Sequence, residues 1–413
     1  MPAPAEGART TRSGSTRRQF LLGGAVAGVG AAAAIGVDYA LTRTDAAPAA
    51  PSTPMNGEST VPFFGAHQAG VDTAAQAHGS FLALDLLDTT DRDGLMRLLR
   101  ILTDDAARLT QGLPALADSE PELALSPARL TVTFGFGPRL VARAAAQAPD
   151  WLAPLPAFTV DRLLPEFGDG DLLLQIAGDD PLTVAHAARM LLKDSRSFAT
   201  LRWSQSGFRR AYGTERPGTT MRNLFGQVDG TTNPQPGTKN FDEVVWSADG
   251  WLTGGTGIVV RRIRMDLDKW DRLDRSGREA SVGRTLANGA PLTGSKEFDE
   301  PDFTANTAIG FPVIPQFAHI RRARGDDGVQ IFRRAYNYDE RPSGVGVSES
   351  GLIFVSFQAD VARQFTPMQR RLDELDLLNE WTTPIGSAVF AVPPGCREGG
   401  FIGETLLSGE DDA

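Results

Sequence analysis

Hydrophobic residues recur along the N-terminal half with the periods of strands and helices. A short apolar run at residues 81–87 predicts a strand, and leucines spaced three and four apart predict a helix over residues 91–109. The same patterns predict strands at 130–134, 171–176 and 201–212, and helices at 139–146 and 181–195. The helix predicted over 181–195 is also marked at its start by Asp179-Asp180-Pro181. Apart from the short helix at 139–146, the order is β-α-β, β-α-β, the ferredoxin-like pattern.

The C-terminal half repeats this order without a close repeat of sequence. Strands are predicted at 256–267, 329–338, 351–358 and 387–392, and helices at 269–277 and 362–378. Between them, residues 277–315 are irregular and rich in Gly and Pro, and a long loop of this kind inside a domain is usually functional. We therefore predict an α+β protein of two tandem ferredoxin-like domains, residues 61–235 and 236–408, with antiparallel sheets and helices on one face.

The N-terminal segment does not follow these periods. Arg17-Arg18 precedes a mildly apolar run, residues 23–37, and small residues at 46–50 offer a cleavage zone. This pattern predicts a twin-arginine signal peptide over 1–50, which the export machinery of that pathway would recognise, followed by a linker over 51–60. The pathway exports folded proteins, so we expect an extracellular, cell-surface or periplasmic location. A weak membrane anchor or a chance Arg pair is the alternative.

Composition narrows the classes of function. The 413 residues carry 41 basic and 51 acidic side chains, a net charge of −10, which gives no general attraction to nucleic acid. One cysteine, Cys396, excludes an internal disulfide, an iron–sulfur cluster held by several cysteines and a four-cysteine zinc site. Four histidines leave few candidates for a metal site made of several imidazoles.

Two segments hold residues suited to chemistry. Asp229 lies between Gly226 and Gly230, which permit a close backbone approach to a ligand, and a carboxyl at the edge of an apolar cavity is suited to proton transfer. The alternative is an Asp-Gly turn between two domains. His319 is flanked by alternating apolar and polar residues, and a neutral imidazole in an apolar pocket is suited to axial ligation of haem iron. The alternative is a structural histidine.

Two further segments follow His319. Arg333 and Arg334 are adjacent on a predicted strand, so one is expected in a cavity and the other in solvent, unless both are surface cations. Phe354 and Phe357 lie on an apolar strand and are candidates for a flat pocket wall, although core packing is the stronger interpretation.

Taken together, these pieces resemble the dye-decolourising peroxidase family, and the twin-arginine signal resembles that of its exported, A-type branch. The resemblance covers about residues 60–408. The matching segments, in family order, are 64–70, 133–137, 171–181, Gly226-Gln227-Val228-Asp229-Gly230, 289–292, the His319 segment, 332–338 and 352–358. The family fold is a tandem ferredoxin-like one with haem in the C-terminal half.

The resemblance implies roles for individual residues. His319 matches the proximal ligand of the iron of haem b, and Asp229 matches the distal acid. Arg333, with Arg334 as the alternative, matches the distal arginine that stabilises O–O cleavage. Gly230, Thr231 and Thr232 match the loop that touches the haem. Further possible contacts are residues 324–326 and Asn337.

The activity implied is a peroxidase that reduces hydrogen peroxide and oxidises dyes, phenols or other one-electron donors. Asp229 would move a proton between the peroxide oxygens, and an acidic optimum is expected because a carboxylate titrates below imidazole. Aromatic residues that could carry electrons at the surface are Tyr336, Tyr338, Trp251 and Trp381.

Two alternatives remain open at this point. One is a deferrochelatase-like haem-handling protein of an iron-uptake system. The other is a non-haem ferredoxin-like binding module in which His319 is structural. Association into a homo-oligomer is possible by analogy with other antiparallel ferredoxin-like sheets.

Overall fold

The computed structural model describes residues 55–342 and 346–408, and the predicted signal peptide lies outside them. Within these described ranges, nine strands run antiparallel to their neighbours in two sheets. Their bounds are β1 (His78–Leu86), β2 (Thr131–Phe136), β3 (Leu172–Gly178), β4 (Ala199–Phe208), β5 (Thr256–Met265), β6 (Phe332–Arg333), β7 (Tyr336–Glu340), β8 (Glu349–Gln358) and β9 (Thr382–Val392).

Nine α-helices connect or cover these strands in the described part of the chain. Their bounds are α1 (Arg92–Thr110), α2 (Pro138–Arg143), α3 (Pro181–Ser195), α4 (Lys239–Val245), α5 (Leu267–Trp270), α6 (Arg275–Val282), α7 (His319–Arg324), α8 (Phe365–Leu375) and α9 (Glu404–Leu407). None of the helices within residues 55–342 and 346–408 is long and apolar enough to cross a membrane.

The first sheet has the order β2-β3-β1-β4, with α1 and α3 packed together on one face. Both helices begin as their sequences predict, because the Asp91 side chain accepts from Gly94 N and the Asp180 side chain accepts from Thr183 N, each at 2.8 Å. Leu82 and Leu84 of β1 contribute to the core beneath these helices. The order is that of a ferredoxin-like domain, as predicted.

The second sheet has the corresponding order β9-β5-β8-β7. The short strand β6 also pairs with β8, and β7 pairs with β8 further along in the same register. Helix α8 connects β8 to β9, and α7 packs against α8. The single strand predicted over 329–338 is interrupted at Arg334 and Ala335, where the Ala335 carbonyl accepts from the Arg209 guanidinium.

The two sheets face each other and meet at both edges. β2 pairs with β9 at Phe136 and Ala391, and β4 pairs with β7 at Phe208 and Asn337, so eight strands form a closed ring. The core between the sheets takes side chains from both halves. Its fully buried aromatic members are Phe81, Phe241, Tyr336, Tyr338, Phe357 and Phe390. Because both faces of most strands are covered, buried residues follow one another along these strands instead of alternating with exposed ones.

Two predicted helices differ from the structure. The helix predicted over 269–277 is replaced by α5 and α6, because Asp274 is extended and its side chain caps a new helix at Gly277 N. The helix predicted over 362–378 ends at Leu375, because Asp376 is extended and starts a 3-10 turn, Leu377–Glu380. Part of the predicted linker, Asn56–Glu58, is a 3-10 turn whose Gly57 carbonyl accepts from Ala128 N.

Candidate functional site

A cavity of about 540 Å³ lies on the face of the second sheet that points away from the first sheet. This volume falls within the ordinary range for a small-molecule or cofactor site. Its apolar wall comes from alternate residues of β5 and β8 and from α8. The apolar lining residues on these three elements are Ile263, Met265, Leu352, Phe354, Phe365, Met368 and Leu372. The cavity is lined by all six residues predicted to ligate or contact haem or to act on peroxide: Asp229, Gly230, Thr231, Thr232, His319 and Arg333.

The turn before Asp229 is fixed by its own backbone and by Asn223. The Asn223 side chain accepts from Phe225 N and Gln227 N at 3.1 and 3.3 Å, and Asp229 N donates to Met221 O at 2.8 Å. Gly230 has φ +120°, a conformation that favours glycine. The local chain therefore presents the Asp229 carboxylate to the cavity in one orientation.

The Asp229 loop is joined to β6 by an amide that bonds both backbone groups of one residue. Asn233 Nδ2 donates to Arg333 O at 2.7 Å, and Arg333 N donates to Asn233 Oδ1 at 3.0 Å. The Arg333 guanidinium reaches the carboxylate, with Arg333 Nη1 2.9 Å from Asp229 Oδ1. The Arg333 side chain is 23% exposed and the Asp229 side chain is 12% exposed, so both can meet a ligand in the cavity.

His319 is the first residue of α7 and enters the same cavity. Its Nδ1 lies 2.6 Å from Asp376 Oδ2, and the Asp376 side chain is only 4% exposed. A carboxylate accepts only, so Nδ1 carries the proton and Nε2 of the neutral ring keeps the lone pair that a metal needs. Burial alone would lower the pKa of His319, but the charge and hydrogen bond of Asp376 outweigh it and raise that pKa above its ordinary value.

The remaining loop residues lie at the rim. Thr231 Oγ1 donates to Glu297 Oε1 at 3.0 Å, which joins the Asp229 loop to the long irregular segment. Thr232 is exposed and lines the mouth of the cavity. Arg324, at the end of α7, pairs with Glu300 at 2.5 Å and also lines the cavity.

Comparison with known proteins identifies the family. Residues 68–209 match the model of the Dyp-type peroxidase N-terminal domain, and residues 220–397 match the model of the C-terminal domain. The chain belongs to the Dyp-type peroxidase family. It is therefore an enzyme of the peroxidase class, and the family's peroxidases and deferrochelatases bind haem.

Individual relatives extend over most of this Dyp-type peroxidase. A dye-decolorizing peroxidase of Thermobifida fusca is 38% identical over 97% of this chain and 99% of its own. A deferrochelatase of Yersinia pestis is 35% identical over 84% of each chain. The crystal structure of a DyP-type peroxidase from Cellulomonas bogoriensis matches with a TM-score of 0.84 at 55% identity, over 86% of this chain and all of the other.

The residues of the cavity fit a haem group. The walls are apolar, one imidazole presents a free Nε2, and a carboxylate and a guanidinium face the same space. Within the described ranges, no cluster of three or more His, Cys, Asp or Glu side chains could hold a metal ion by itself. In the described part of the chain, His319 is thus the residue best placed to ligate iron.

Several secondary predictions are corrected by the structure. Arg334 does not meet solvent: it is 1% exposed and donates to Thr73 O and Gln76 Oε1, because the opposite face of its strand is covered by the first domain. Asn337 is buried away from the cavity and donates to Arg222 O. Phe354 lines the cavity, whereas Phe357 belongs to the core between the sheets.

The proposed surface electron carriers are mostly not at the surface. Tyr336 and Tyr338 are 0% and 1% exposed because they lie between the two sheets, and Trp381 is 9% exposed. Trp251 is partly exposed, and its Nε1 donates to Gln147 O at 3.0 Å. The prediction that Tyr336 and Tyr338 are surface residues that carry electrons is therefore wrong.

Proposed function

We propose that this chain is a haem b peroxidase that reduces hydrogen peroxide and oxidises small one-electron donors such as dyes and phenols. The observation that carries the proposal is that Asp229 and Arg333 lie in the same apolar cavity as the His319 imidazole, with Asp229 Oδ1 2.9 Å from Arg333 Nη1. When bound, haem supplies the redox chemistry: electrons pass to peroxide and are then replaced by electrons from the donor.

Two residues would act on the peroxide. The Asp229 carboxylate accepts a proton from one peroxide oxygen and returns it to the other, so that water can leave when the O–O bond breaks. The Arg333 guanidinium lies beside that carboxylate and stabilises the negative charge that develops on the departing oxygen. Asn233 holds the backbone of Arg333, and so fixes the distance between the two groups.

His319 would be the residue that ligates the iron of the bound haem. Asp376 accepts from Nδ1, so it would leave the Nε2 lone pair for the metal and would also increase the electron donation of the imidazole. Gly230, Thr231 and Thr232 would contact the face or edge of the haem from the loop that carries Asp229.

The test is a comparison of Asp229→Asn, Arg333→Leu and His319→Ala with the wild type, by peroxide reduction, dye oxidation and the Soret spectrum. We expect both distal variants to bind haem and to lose about a hundredfold or more in rate, in line with a lost general acid–base. We expect His319→Ala to lose the spectrum of the ligated iron. A wild type with an alkaline optimum that Asp229→Asn leaves unchanged would contradict the proton-transfer role.

A deferrochelatase-like role is the second candidate, because relatives of that name match at 33–35% identity over most of the chain. Incubation of the hemin-reconstituted protein with an added one-electron reductant and a ferrous chelator separates the two. Release of iron with recovery of intact protoporphyrin would favour this role, and peroxide turnover without iron release would favour the peroxidase.

We also propose export by the twin-arginine pathway, supported by Arg17-Arg18 and the Gly/Ala-rich run that follows. Fractionation of cells that express the wild type or an Arg17→Lys/Arg18→Lys variant tests it. Retention of the variant alone inside the cell is the expected result.

A further inference from the structure

A buried arginine faces the cavity without enough partners. Arg261 lies on β5, two residues before Ile263, on the strand face that lines the cavity, and it is 1% exposed. Its Nη2 is paired with Asp161 Oδ1, and its guanidinium stands 5.5 Å from the centre of the Phe158 ring. Its Nε and Nη1 have no hydrogen-bond partner in residues 55–342 and 346–408.

The other arginines of the cavity differ in this respect. Arg333 pairs with Asp229, Arg324 pairs with Glu300, and Arg284 donates to the carbonyls of Gly289 and Glu297. Arg261 alone among these four has buried guanidinium nitrogens without a partner in the described part of the chain.

The carboxylates near Arg261 do not complete its contacts. Asp161 meets one of the three guanidinium nitrogens. The Asp373 carboxylate already accepts hydrogen bonds from the N–H and hydroxyl of Thr159 and from the N–H of Val160, at 2.8–2.9 Å. A buried guanidinium N–H without an acceptor is costly, so these donors call for an acceptor that enters the cavity.

We propose that Arg261 binds a carboxylate side chain of the tetrapyrrole. This inference rests on the proposed haem function. The two carboxylates are the strongest hydrogen-bond acceptors that a porphyrin carries, and the planar guanidinium matches carboxylate geometry. Arg261 is thus a binding residue at the wall formed by β5, separate from Asp229 and Arg333, and it selects the orientation in which a carboxylated edge meets this strand.

The test compares hemin with its dimethyl ester, whose carboxylates are masked. The full chain, freed of haem, is titrated with each compound, and affinity is read from tryptophan fluorescence quenching and the Soret band. We expect wild type to bind the ester about ten- to one hundredfold more weakly than hemin, the range for charge-assisted hydrogen bonds. In Arg261→Met that ratio is expected to fall close to one.

A matched control is available on the same strand. Arg262 is 2% exposed, points to the other side and pairs with Glu340, so Arg262→Met removes an equally buried guanidinium that does not face the cavity. It should keep the wild-type ratio. Arg261→Lys, which keeps the charge but loses the fork, should give an intermediate ratio and serves if Arg261→Met does not fold.

Two results would overturn the inference while leaving the haem function intact. One is a wild type that binds hemin and the ester equally well. The other is a folded Arg261 variant that discriminates between them as the wild type does, since the carboxylates would then be held elsewhere. A wild type that binds neither compound would instead overturn the haem function itself.

Discussion

The hydrogen bond between His319 and Asp376 allows a prediction about how tightly the iron is held. In Asp376→Asn the side chain keeps its size but loses its charge and one acceptor. Asp376 Oδ2 accepts from His319 Nδ1, while Oδ1 accepts from Leu378 N at 3.0 Å. An amide has one oxygen and one NH₂ group, so it cannot accept both bonds.

Each orientation of the new amide has a cost. If the oxygen stays on Leu378 N, the NH₂ group faces His319 and favours the tautomer with its proton on Nε2, the nitrogen that should bind iron. If the oxygen turns to His319, the NH₂ group opposes Leu378 N–H, with a loss of about 1–3 kcal/mol for a buried unpaired group. We therefore expect hemin to bind about ten- to one hundredfold more weakly, as is usual when the partner of a metal-ligating histidine is removed.

The assay is transfer of hemin from the reconstituted variant to an excess of a second apo-haem protein, followed at the Soret band. Glu374→Gln is the control, because it removes a carboxylate two residues earlier, on α8, whose side chain is 68% exposed and pairs with Arg322. If Asp376→Asn released hemin at the wild-type rate, both the assigned tautomer of His319 and the role of Asp376 in holding its imidazole would be refuted.

Three further predictions concern the loop, the first domain and the sheet packing. Asn233→Ala removes both bonds to the Arg333 backbone, and we expect a loss in kcat of at least about tenfold at nearly unchanged hemin affinity, measured by steady-state kinetics and titration. Burial, followed by the hydrogen bond and charge of Asp105, raises the pKa of Asp194 to about 7, so wild-type stability should fall as the pH rises from about 4 to 7. Asp194→Asn should remove this fall in urea unfolding and gain at most about 4 kcal/mol above pH 7, whereas an unchanged pH profile would contradict the shift. Gly207→Ala would place a Cβ 2.6 Å from Tyr336 Cβ and 2.9 Å from Asn337 O, and should lower stability by about 1–3 kcal/mol in the same assay. Gly65→Ala is the uncrowded comparison, because its new Cβ would meet no atom nearer than His67 O at 3.7 Å and its φ is not positive.

The fold could be predicted largely because its strands and long helices have strong periods. The strand at 256–265 and the helix at 181–195 are apolar or amphipathic over many residues, and Asp180-Pro181 marks the start of that helix. The helices Lys239–Val245 and His319–Arg324 were not found because six or seven residues do not establish a period. The domain boundary near residue 235 stays a prediction.

The site could be predicted in part for a different reason. Asp229, His319 and Arg333 lie in short motifs that can be recognised, whereas their partners are distant in sequence and ordinary in context. Asp376 lies 57 residues after His319 in what reads as a charged helix, and Asn233 lies 100 residues before Arg333. Only the turn at Asp376, where the helix ends, could have drawn attention to it.

The burial of Tyr336 and Tyr338 was also beyond the sequence. Their strand was expected to have a solvent face, but that face is covered by the other sheet. Which face of a strand is covered depends on how two domains meet, and this is not encoded in the period of one strand.

The layer shared by the two sheets has a consequence for the integrity of the molecule. Neither half can hide its inner aromatic side chains alone: Phe81 and Trp203 come from one half, and Phe357 and Phe390 come from the other. We therefore expect the halves to melt together in a single transition, and either half produced separately to aggregate. Each ferredoxin-like half covers apolar surface that the other would expose alone, so neither half is an independently folding module.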